Sequence, residues 1–319
     1  MLVINNQINT KLINNLVLGG AGFLGSNLID ELLKKGENVV CIDNFLTGKI
    51  SNINHLKDNK KFFLITHDVI EPIKSKIPIE KLWHLACPAS PTYYQKDPLL
   101  TIRINYEGTL NILNLAKEFK SKLLFASSSE IYGKSREKPQ NEMSTVNLST
   151  TSPRACYAEG KRIAETLLDT FCKVNNLESK TARIFNTYGP RLNIDDGRVI
   201  SNFINQSLKN KKITIYGDGL QTRSFCYVKD MVRGLLNLME STYTGPVNLG
   251  NEQEITIFDL AFLIKNKINP DIKIEYLDLP VDDPRFRNPC IDLARTRLKW
   301  TPEVSLSEGL EKTISFFKS

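Results

Sequence analysis

The feature that most constrains the fold is the run Gly19-Gly20-Ala21-Gly22-Phe23-Leu24-Gly25, which follows a short apolar stretch ending at Leu18. Its glycines have the spacing G-x-x-G-x-x-G. Glycines there permit a tight turn, a close approach of the backbone to a phosphate, and close packing of a helix on a strand. The helix that follows offers free N–H groups and the positive end of its dipole. The run therefore predicts a strand, a pyrophosphate-binding turn and a helix.

Strand-like and helix-like segments alternate through the first half of the chain. Apolar runs predict strands at residues 16–18, 38–43, 62–65, 81–85, 122–126 and 179–185, and helical periodicity predicts helices at 22–35, 97–119 and 155–174. This alternation predicts an α/β fold with a doubly wound parallel sheet, which is a Rossmann fold.

Proline and glycine become frequent after about residue 186, which predicts a smaller C-terminal substrate lobe built largely of loops and short elements. We therefore expect a dinucleotide-binding domain over residues 1–185 and a substrate-binding lobe over residues 186–319. Some segments of the second part are expected to return to the first.

Composition excludes several classes of function. The net charge of +7 comes from scattered lysines, which favours a solvated basic surface over a nucleic-acid site. The six cysteines show no C-x-x-C spacing, and the three histidines are too scattered to predict a metal site. The polar N-terminus lacks signal-peptide features, and no apolar run reaches membrane-spanning length. We expect a soluble cytoplasmic protein with no metal, no nucleic-acid partner and no membrane association.

Asp43 ends the strand after the glycine turn, where an acid can accept hydrogen bonds from the adenosine ribose of a dinucleotide. Because this carboxylate would repel a 2′-phosphate, it favours NAD over NADP; a purely structural role at the strand end stays open. Topology brings the ends of the next two strands to the same cofactor. The predicted NAD-binding residues are Gly19, Gly22, Phe23, Leu24, Gly25, Asp43, Asn44, Asp68, Val69, Leu85, Ala86, Tyr157 and Lys161.

Tyr157 is the only one of ten tyrosines with a lysine four residues later, and one helical turn places Tyr157 and Lys161 on one face. We expect Lys161 to lower the pKa of the tyrosine and to hold the nicotinamide ribose, so that the tyrosinate takes a hydroxyl proton while hydride leaves the same carbon. In a lysine-rich chain such a pair also arises by chance.

Polar residues follow the strand that ends at Ala126, at the sheet edge that faces the ligand crevice. The hydroxyl of Ser128 is expected to share the substrate proton with Tyr157, although a serine-rich strand cap is the alternative. The carboxylate of Glu130 indicates acid–base or electrostatic work beyond simple oxidation.

Motifs along most of the chain, from about residue 16 to 317, resemble the UDP-glucuronate decarboxylase branch of the extended short-chain dehydrogenase/reductases. Segments closest to that branch are His84-Leu85-Ala86-Cys87-Pro88-Ala89-Ser90-Pro91 and the Cys156-Tyr157 pair. Others are general to nucleotide-sugar enzymes: residues 43–48, 129–133, 153–162, 183–191, 195–199, 216–219 and 221–228.

The resemblance implies an NAD-dependent enzyme that oxidises C4 of UDP-glucuronate, releases CO2 from the resulting β-keto acid, and reduces the 4-keto intermediate with the bound NADH to give UDP-xylose. Glu130 is preceded by Ser129, where sugar-nucleotide 4,6-dehydratases carry an Asp-Glu pair; this disfavours dehydration. A UDP-sugar 4-epimerase and a decarboxylase that releases the 4-keto pentose remain alternatives. A non-catalytic NAD-sensing protein is the alternative from another class.

The resemblance also implies the substrate side of the site. Tyr157, Lys161, Ser128, Glu130 and Arg223 are the implied catalytic residues. Ser129, Tyr94, Asn186, Arg191, Asn202, Tyr216, Arg223 and Arg285 are the implied contacts to the nucleotide sugar, with surface ion pairs as the alternative for the arginines.

Relatives form homodimers through two long helices, here expected at 97–119 and 155–174. Apolar positions on these helices could equally belong to the core: Ile104, Leu110, Leu113, Ile163, Leu167 and Leu168.

Overall fold

The computed structural model describes residues 1–5, 8, 10–134, 137–279 and 286–319. Arg285, one of the expected substrate contacts, lies outside the described residues. The strands are β1 (Leu2–Ile4), β2 (Ile13–Leu18), β3 (Val39–Asp43), β4 (Phe62–Thr66), β5 (Ile73–Ser75), β6 (Ile79–His84), β7 (Lys122–Ser128), β8 (Ser179–Ile184), β9 (Thr187–Tyr188), β10 (Ile213–Tyr216), β11 (Thr222–Ser224), β12 (Cys226–Tyr227), β13 (Pro246–Leu249), β14 (Glu254–Thr256), β15 (Ile274–Leu277) and β16 (Phe286–Arg287).

The helices carry most of the remaining chain. They are α1 (Phe23–Lys34), α2 (Pro91–Tyr94), α3 (Pro98–Arg103), α4 (Thr109–Phe119), α5 (Ala155–Asn175), α6 (Val199–Leu208), α7 (Val228–Glu240), α8 (Ile257–Ile268), α9 (Asp292–Arg297) and α10 (Leu306–Lys318).

A seven-stranded parallel sheet in the order β13-β8-β7-β6-β2-β3-β4 forms the centre of the molecule. The sequence order reverses between β3 and β6 on either side of β2, as in a doubly wound fold, so the predicted Rossmann sheet is confirmed. This reversal opens a crevice at the carboxyl ends of the central strands, where such folds bind their ligands.

Alternate residues of β2 explain why both faces of the sheet are covered. Leu16 and Leu18 belong to the apolar cluster formed with α4 and α5, and Val17 belongs to the cluster that includes Ile29 of α1 and Met231 of α7. All five side chains are fully buried. The sheet is thus a buried middle layer, and its carboxyl edge is left for polar side chains.

The long helix expected at 97–119 begins at Pro98, because the side chain of Asp97 accepts a hydrogen bond from the N–H of Leu100 (2.9 Å) and caps the helix. A π-helical segment, Ile104–Gly108, joins α3 to α4. Asn105 lies in this segment and donates to the carbonyl of Thr101 (2.8 Å).

The expectation that the region after residue 186 consists largely of loops and short elements was wrong. Four helices of ten to thirteen residues lie there: α6, α7, α8 and α10. Their apolar faces join the cluster that covers one face of the central sheet, and β13 pairs in parallel with β8 inside that sheet. The division at residues 185 and 186 stays a prediction.

Candidate active site

A cavity of about 770 Å³ lies at the carboxyl ends of the central strands. Every described residue that the sequence predicted for the site lines this cavity. On the cofactor side these are Gly19, Gly22, Phe23, Leu24, Gly25, Asp43, Asn44, Asp68, Val69, Leu85, Ala86, Tyr157 and Lys161. On the substrate side they are Tyr94, Ser128, Ser129, Glu130, Asn186, Arg191, Asn202, Tyr216 and Arg223.

The turn before α1 is so compact that two positions require glycine. Gly19 has φ +77°, and a Cβ there would lie 2.8 Å from the backbone of Ala86. A Cβ on Gly25 would lie 2.2 Å from the carbonyl oxygen of Gly19. Because no side chain fills the cradle and α1 begins at Phe23, the first N–H groups of the helix face the cavity, as an anionic pyrophosphate requires.

Asp43 is fixed in the position expected of a ribose-binding acid. Its carboxylate accepts hydrogen bonds from the N–H groups of Ala21 (2.9 Å) and Phe45 (2.8 Å). A Cβ on Gly48 would lie 2.8 Å from this carboxylate, so the following loop closes over it. Burial raises the pKa of Asp43, and the two backbone hydrogen bonds partly offset that rise.

The adenine side of the expected cofactor site is also preformed. The side chain of Asn44 donates to the carboxylate of Asp68 (2.8 Å), which joins the loops after β3 and β4. Val69, next to Asp68, is buried, and its carbonyl accepts from Asn111 of α4 (3.0 Å). These contacts support an apolar wall beside Asp68.

Tyr157 is buried near the start of α5, and its pKa is raised by burial and by the neighbouring Cys87 thiol. A hydrogen bond with the side chain of Ser128 acts in the opposite direction. Burial is the largest effect on this pKa. The expected lowering by the charge of Lys161 stays a prediction.

Lys161 is buried one helical turn after Tyr157. Its ammonium donates to the carbonyl of Ala126 (2.9 Å) and lies 4.7 Å from the centroid of the Phe125 ring and 5.8 Å from that of Tyr157. Burial lowers the pKa of Lys161. Helix α5 thus holds the Lys161 ammonium beside Tyr157, with its hydrogen bond made to the backbone of β7.

Glu130 follows β7 and faces arginines from distant parts of the chain. Its carboxylate lies 3.4 Å from Nη2 of Arg287 and 3.6 Å from Nη1 of Arg154. Burial raises the pKa of Glu130, but the charges of Arg287, Arg154 and Arg223 outweigh burial and hold it below its usual value. The carboxylate is therefore ionised at neutral pH.

Arg287 was missed by the sequence analysis, which chose Arg285 two residues earlier. It is buried and donates to the carbonyls of Ser129 (3.1 Å) and Gly133 (3.0 Å) as well as facing Glu130. The segment after residue 285 is thereby fixed to the end of β7. Nothing local to Arg287 in the sequence marks this contact, because its partners lie more than 150 residues earlier.

The expected substrate contacts differ in what holds them. Arg191 has φ +70° and pairs with Asp30 of α1 (2.7 Å), while its Nη1 is buried with no hydrogen-bond partner among the described residues. Asn202 donates to the carbonyl of Gly197 (2.9 Å), and Tyr216 is half-exposed at the rim.

Asn186 and Arg223 also line the cavity. The carbonyl of Asn186 accepts from the N–H of Cys226 (2.9 Å), which fixes the backbone beside β12. Arg223, in β11, is buried and donates to the carbonyl of Thr222 (2.8 Å).

Arg198 is a further cation of the cavity that the sequence analysis quoted only within a motif. It pairs with Asp196. Burial lowers the pKa of Arg198, but Asp196 and the nearby phenol of Tyr157 raise it by more. Its location could be found only from the fold, since Arg198 and Tyr157 belong to different parts of the chain.

Neither a metal site nor a membrane span is found in the part of the chain that the structure describes. No three His, Cys, Asp or Glu side chains there group as metal ligands. Among the same residues, no helix is long and apolar enough to cross a bilayer.

Fold and site together define a dinucleotide-binding enzyme of the short-chain dehydrogenase type. Residues 15–250 match the model of the NAD dependent epimerase/dehydratase family, which is about three-quarters of the chain. The chain belongs to this family.

Individual relatives narrow the resemblance. The chain is 47% identical to UDP-glucuronic acid decarboxylase 1 of Arabidopsis thaliana, over 98% of this chain and 71% of that protein. It is also 47% identical to UDP-glucuronic acid decarboxylase 1 of Danio rerio, over 95% and 72%. The resemblance to the UDP-glucuronate decarboxylases that the motifs predicted is thus confirmed.

A solved structure shows a similar fold around the expected type of ligand. It is a UDP-glucuronic acid 4-epimerase from Bacillus cereus in complex with UDP-glucuronic acid and NAD. The TM-score is 0.84 at 30% identity, covering 96% of this chain and 99% of that one.

Proposed function

We propose that this protein is an NAD-dependent decarboxylase that converts UDP-glucuronate to UDP-xylose through a UDP-4-keto intermediate. The observation that carries the proposal is the meeting of Ser128, Tyr157 and Lys161 with a carboxylate–arginine cluster in one cavity. Identity of 47% to UDP-glucuronic acid decarboxylases over nearly the whole chain supports the same reaction.

The first group of residues handles the C4 hydroxyl. When bound, NAD supplies the hydride acceptor at C4 and later returns the hydride. Tyr157 takes the hydroxyl proton, Ser128 shares it through the hydrogen bond between the two side chains, and Lys161 provides the neighbouring positive charge.

The second group manages the carboxylate. Oxidation at C4 makes the substrate a β-keto acid, because its carboxylate is attached to C5, next to the new ketone. This acid loses CO2 when the electron pair of the bond between C5 and the carboxylate carbon moves into an enolate. Arg287, Arg154 and Arg223 surround Glu130 and can stabilise this negative charge. Glu130, which these arginines hold ionised, sets the local charge, and water supplies the proton that C5 takes up.

Arg191 and Asp43 account for recognition of a phosphate group and of a ribose, respectively. Nη1 of Arg191, buried and without a partner among the described residues, suits a phosphate oxygen, and the pairing of Arg191 with Asp30 holds the planar guanidinium in place. Asp43 favours a free ribose diol over a 2′-phosphate, so we propose NAD over NADP. Calorimetry should give tighter binding of NAD than of NADP, and Asp43→Asn should bring the two dissociation constants closer together.

We further propose a homodimer formed through α3 and α5. Ile104, Leu113 and Leu168 are buried in the core, so these three expected contacts are unavailable to a partner. Other apolar side chains on this face are exposed: Leu99 (74%), Ile102 (43%), Tyr106 (46%) and Ile163 (45%).

Cytoplasmic location and the absence of a nucleic-acid partner stay predictions from the sequence.

The test is an incubation with UDP-glucuronate and a catalytic amount of NAD. It follows CO2 release, NADH absorbance and the sugar product by NMR. We expect CO2 and UDP-xylose with no lasting NADH. CO2 with accumulated NADH and a 4-keto pentose would show an enzyme that stops before reduction, and UDP-galacturonate without CO2 would show an epimerase.

Tyr157→Phe is the variant that ties the activity to the proposed residues. Loss of the proton acceptor should lower kcat by about 10²–10⁴-fold, with NAD binding retained. Tyr243→Phe is the matched control, because Tyr243 lies outside the cavity, against Arg297. Equal activity of the two variants would remove Tyr157 from the mechanism.

A further inference from the structure

A second tyrosine lies flat against the proposed base. The rings of Tyr94 and Tyr157 have centroids 4.9 Å apart and planes inclined by only 8°. Tyr94 is 1% exposed, so its ring is packed almost entirely among protein atoms at the wall of the cavity. The chemistry proposed above uses one tyrosine and gives Tyr94 no proton to move.

The backbone of Tyr94 is fixed by the two helices that flank the cavity. Its carbonyl accepts a hydrogen bond from the hydroxyl of Thr101 in α3 (3.1 Å) and a weaker one from the thiol of Cys156 in α5 (3.6 Å). Its N–H donates to the carbonyl of Ser90 (3.0 Å), which closes the turn of α2. The Tyr94 ring is therefore a fixed surface.

The segment that carries Tyr94 is also joined to the other side of the cavity. The hydroxyl of Ser90 donates to the carbonyl of Asp196 (2.6 Å), and the side chain of Asn193 donates to the hydroxyl of Tyr93 (2.6 Å). Asp196 in turn pairs with Arg198, whose charge lies near Tyr157. The stacked ring is thus held from both sides of the site.

We propose that Tyr94 is a positioning residue, which keeps the Tyr157 ring in the one orientation that directs its hydroxyl at Ser128 and at the substrate. A tyrosine side chain can swing about its χ1 and χ2 bonds, and a flat neighbour on one face blocks that swing. Proton transfer needs heavy atoms within hydrogen-bond reach, and displacement of a reacting group by about 1 Å costs about 100-fold in rate. The inference rests on the proposed function for the identity of the reaction.

The kinetic test compares Tyr94→Leu with Tyr94→Phe. Leu removes the flat face, and Phe keeps it while removing only the hydroxyl. For CO2 release from UDP-glucuronate we expect Tyr94→Leu to lower kcat by about tenfold or more, with KM nearly unchanged, and Tyr94→Phe to retain most of kcat. A raised KM at constant kcat in either variant would make Tyr94 a substrate contact and overturn the proposal.

A spectroscopic test needs no turnover and therefore separates this inference from the proposed reaction. The protein is labelled with 3-fluorotyrosine, and the Tyr157 resonance is assigned from its loss in Tyr157→Phe. We expect a single narrow ¹⁹F line in the wild type and in Tyr94→Phe, and a broadened or split line in Tyr94→Leu. An unchanged narrow line in Tyr94→Leu would overturn the proposal, even if the wild type released no CO2.

Folding is checked by thermal melting before either measurement. If Tyr94→Leu does not fold, Tyr94→Met replaces it, because the longer flexible side chain fills more of the volume without providing a flat face. The same expected and contradicting results apply to that variant.

Discussion

Glu130 shows how a single residue acquires its properties from distant partners. The short sequence around it indicates only a carboxylate at the end of a strand. In the structure, burial raises its pKa, and the charges of Arg287, Arg154 and Arg223 outweigh burial and lower it. The ionised carboxylate thus stabilises the fold while it serves the site.

The stability contributed by Glu130 should depend on pH in a defined direction. Because its folded-state pKa is depressed, this stability is fully present above the unfolded-state value of 4.5 and is lost as pH falls through the lower folded-state pKa. Glu130→Gln should lower the free energy of unfolding at neutral pH by about 1.5–3 kcal/mol, since Arg287 loses a charged partner.

The measurement is denaturant unfolding of wild type and Glu130→Gln across the acid range. We expect their difference to stay constant from neutral pH down to about pH 5 and to shrink only below it. Glu31→Gln is the control, since Glu31 faces Lys34 on the surface of α1, outside the proposed dimer interface. A difference that vanishes between pH 7 and about pH 5 would mean that the arginines do not hold the proton off Glu130.

Residues of the site were predictable where the signal is local. Tyr157 and Lys161 are related by one helical turn, and Ser128 and Asp43 are marked by the strands that precede them. Arg287 was not predictable in this way, because its partner Glu130 is 157 residues away in the sequence. The burial that raises the pKa of Tyr157 was not predictable for a related reason: it depends on the whole cavity.

At the scale of elements, α5 links the site to the sheet beneath it. Glu165 lies one turn after Lys161, and its carboxylate accepts from the hydroxyl of Ser127 in β7 and from the guanidinium of Arg183 in β8 (2.8 Å). Arg183 also donates to the hydroxyl of Tyr132 (3.0 Å). One buried ion pair thus joins a helix, two strands and the turn after β7.

Arg183→Met should therefore destabilise the protein strongly. Removing one partner leaves the Glu165 carboxylate uncompensated in a site where both side chains are at most 15% exposed, at a cost of about 3–5 kcal/mol. Lys173→Met is the matched control, in an exposed ion pair near the end of the same helix, with an expected cost of about 0.5 kcal/mol or less. Chemical denaturation measures both, and equal losses would contradict a special role for the Glu165–Arg183 pair.

Within residues 1–185 the sequence predicted the strands of the central sheet and the long helices from apolar runs and periodicity, with errors at their ends. The short elements β1, β5 and α2 were not predicted. β7 extends through Ser128, because pairing with β8 continues beyond the apolar run. Helices of the second lobe were missed because frequent Pro and Gly suggested loops. Tertiary packing decides there: α8, for example, buries Leu260, Ala261 and Ile264 in the apolar cluster that covers one face of the central sheet.

At the scale of the whole molecule, the exposed apolar residues of α3 and α5 test the proposed dimer. Ile163→Glu combined with Leu99→Glu would place four like charges in a two-fold interface, because the same patch occurs on both copies. We expect light scattering to give a dimer for the wild type and a monomer for the variant. Phe262→Glu, on exposed α8, is the control, and should remain dimeric. A monomeric wild type would exclude the proposed dimer.

The pairing of β13 with β8 limits where this chain can be cut and fused to another protein. β8 ends at Ile184, and the strand that covers its edge is supplied from residues 246–249, after two further helices, α6 and α7, and four short strands, β9 to β12. A chain cut after β8 would present the open edge of a buried parallel strand, which is a template for aggregation. A fragment of residues 1–185 fused to the substrate-binding region of another protein would therefore have to include β13 as well.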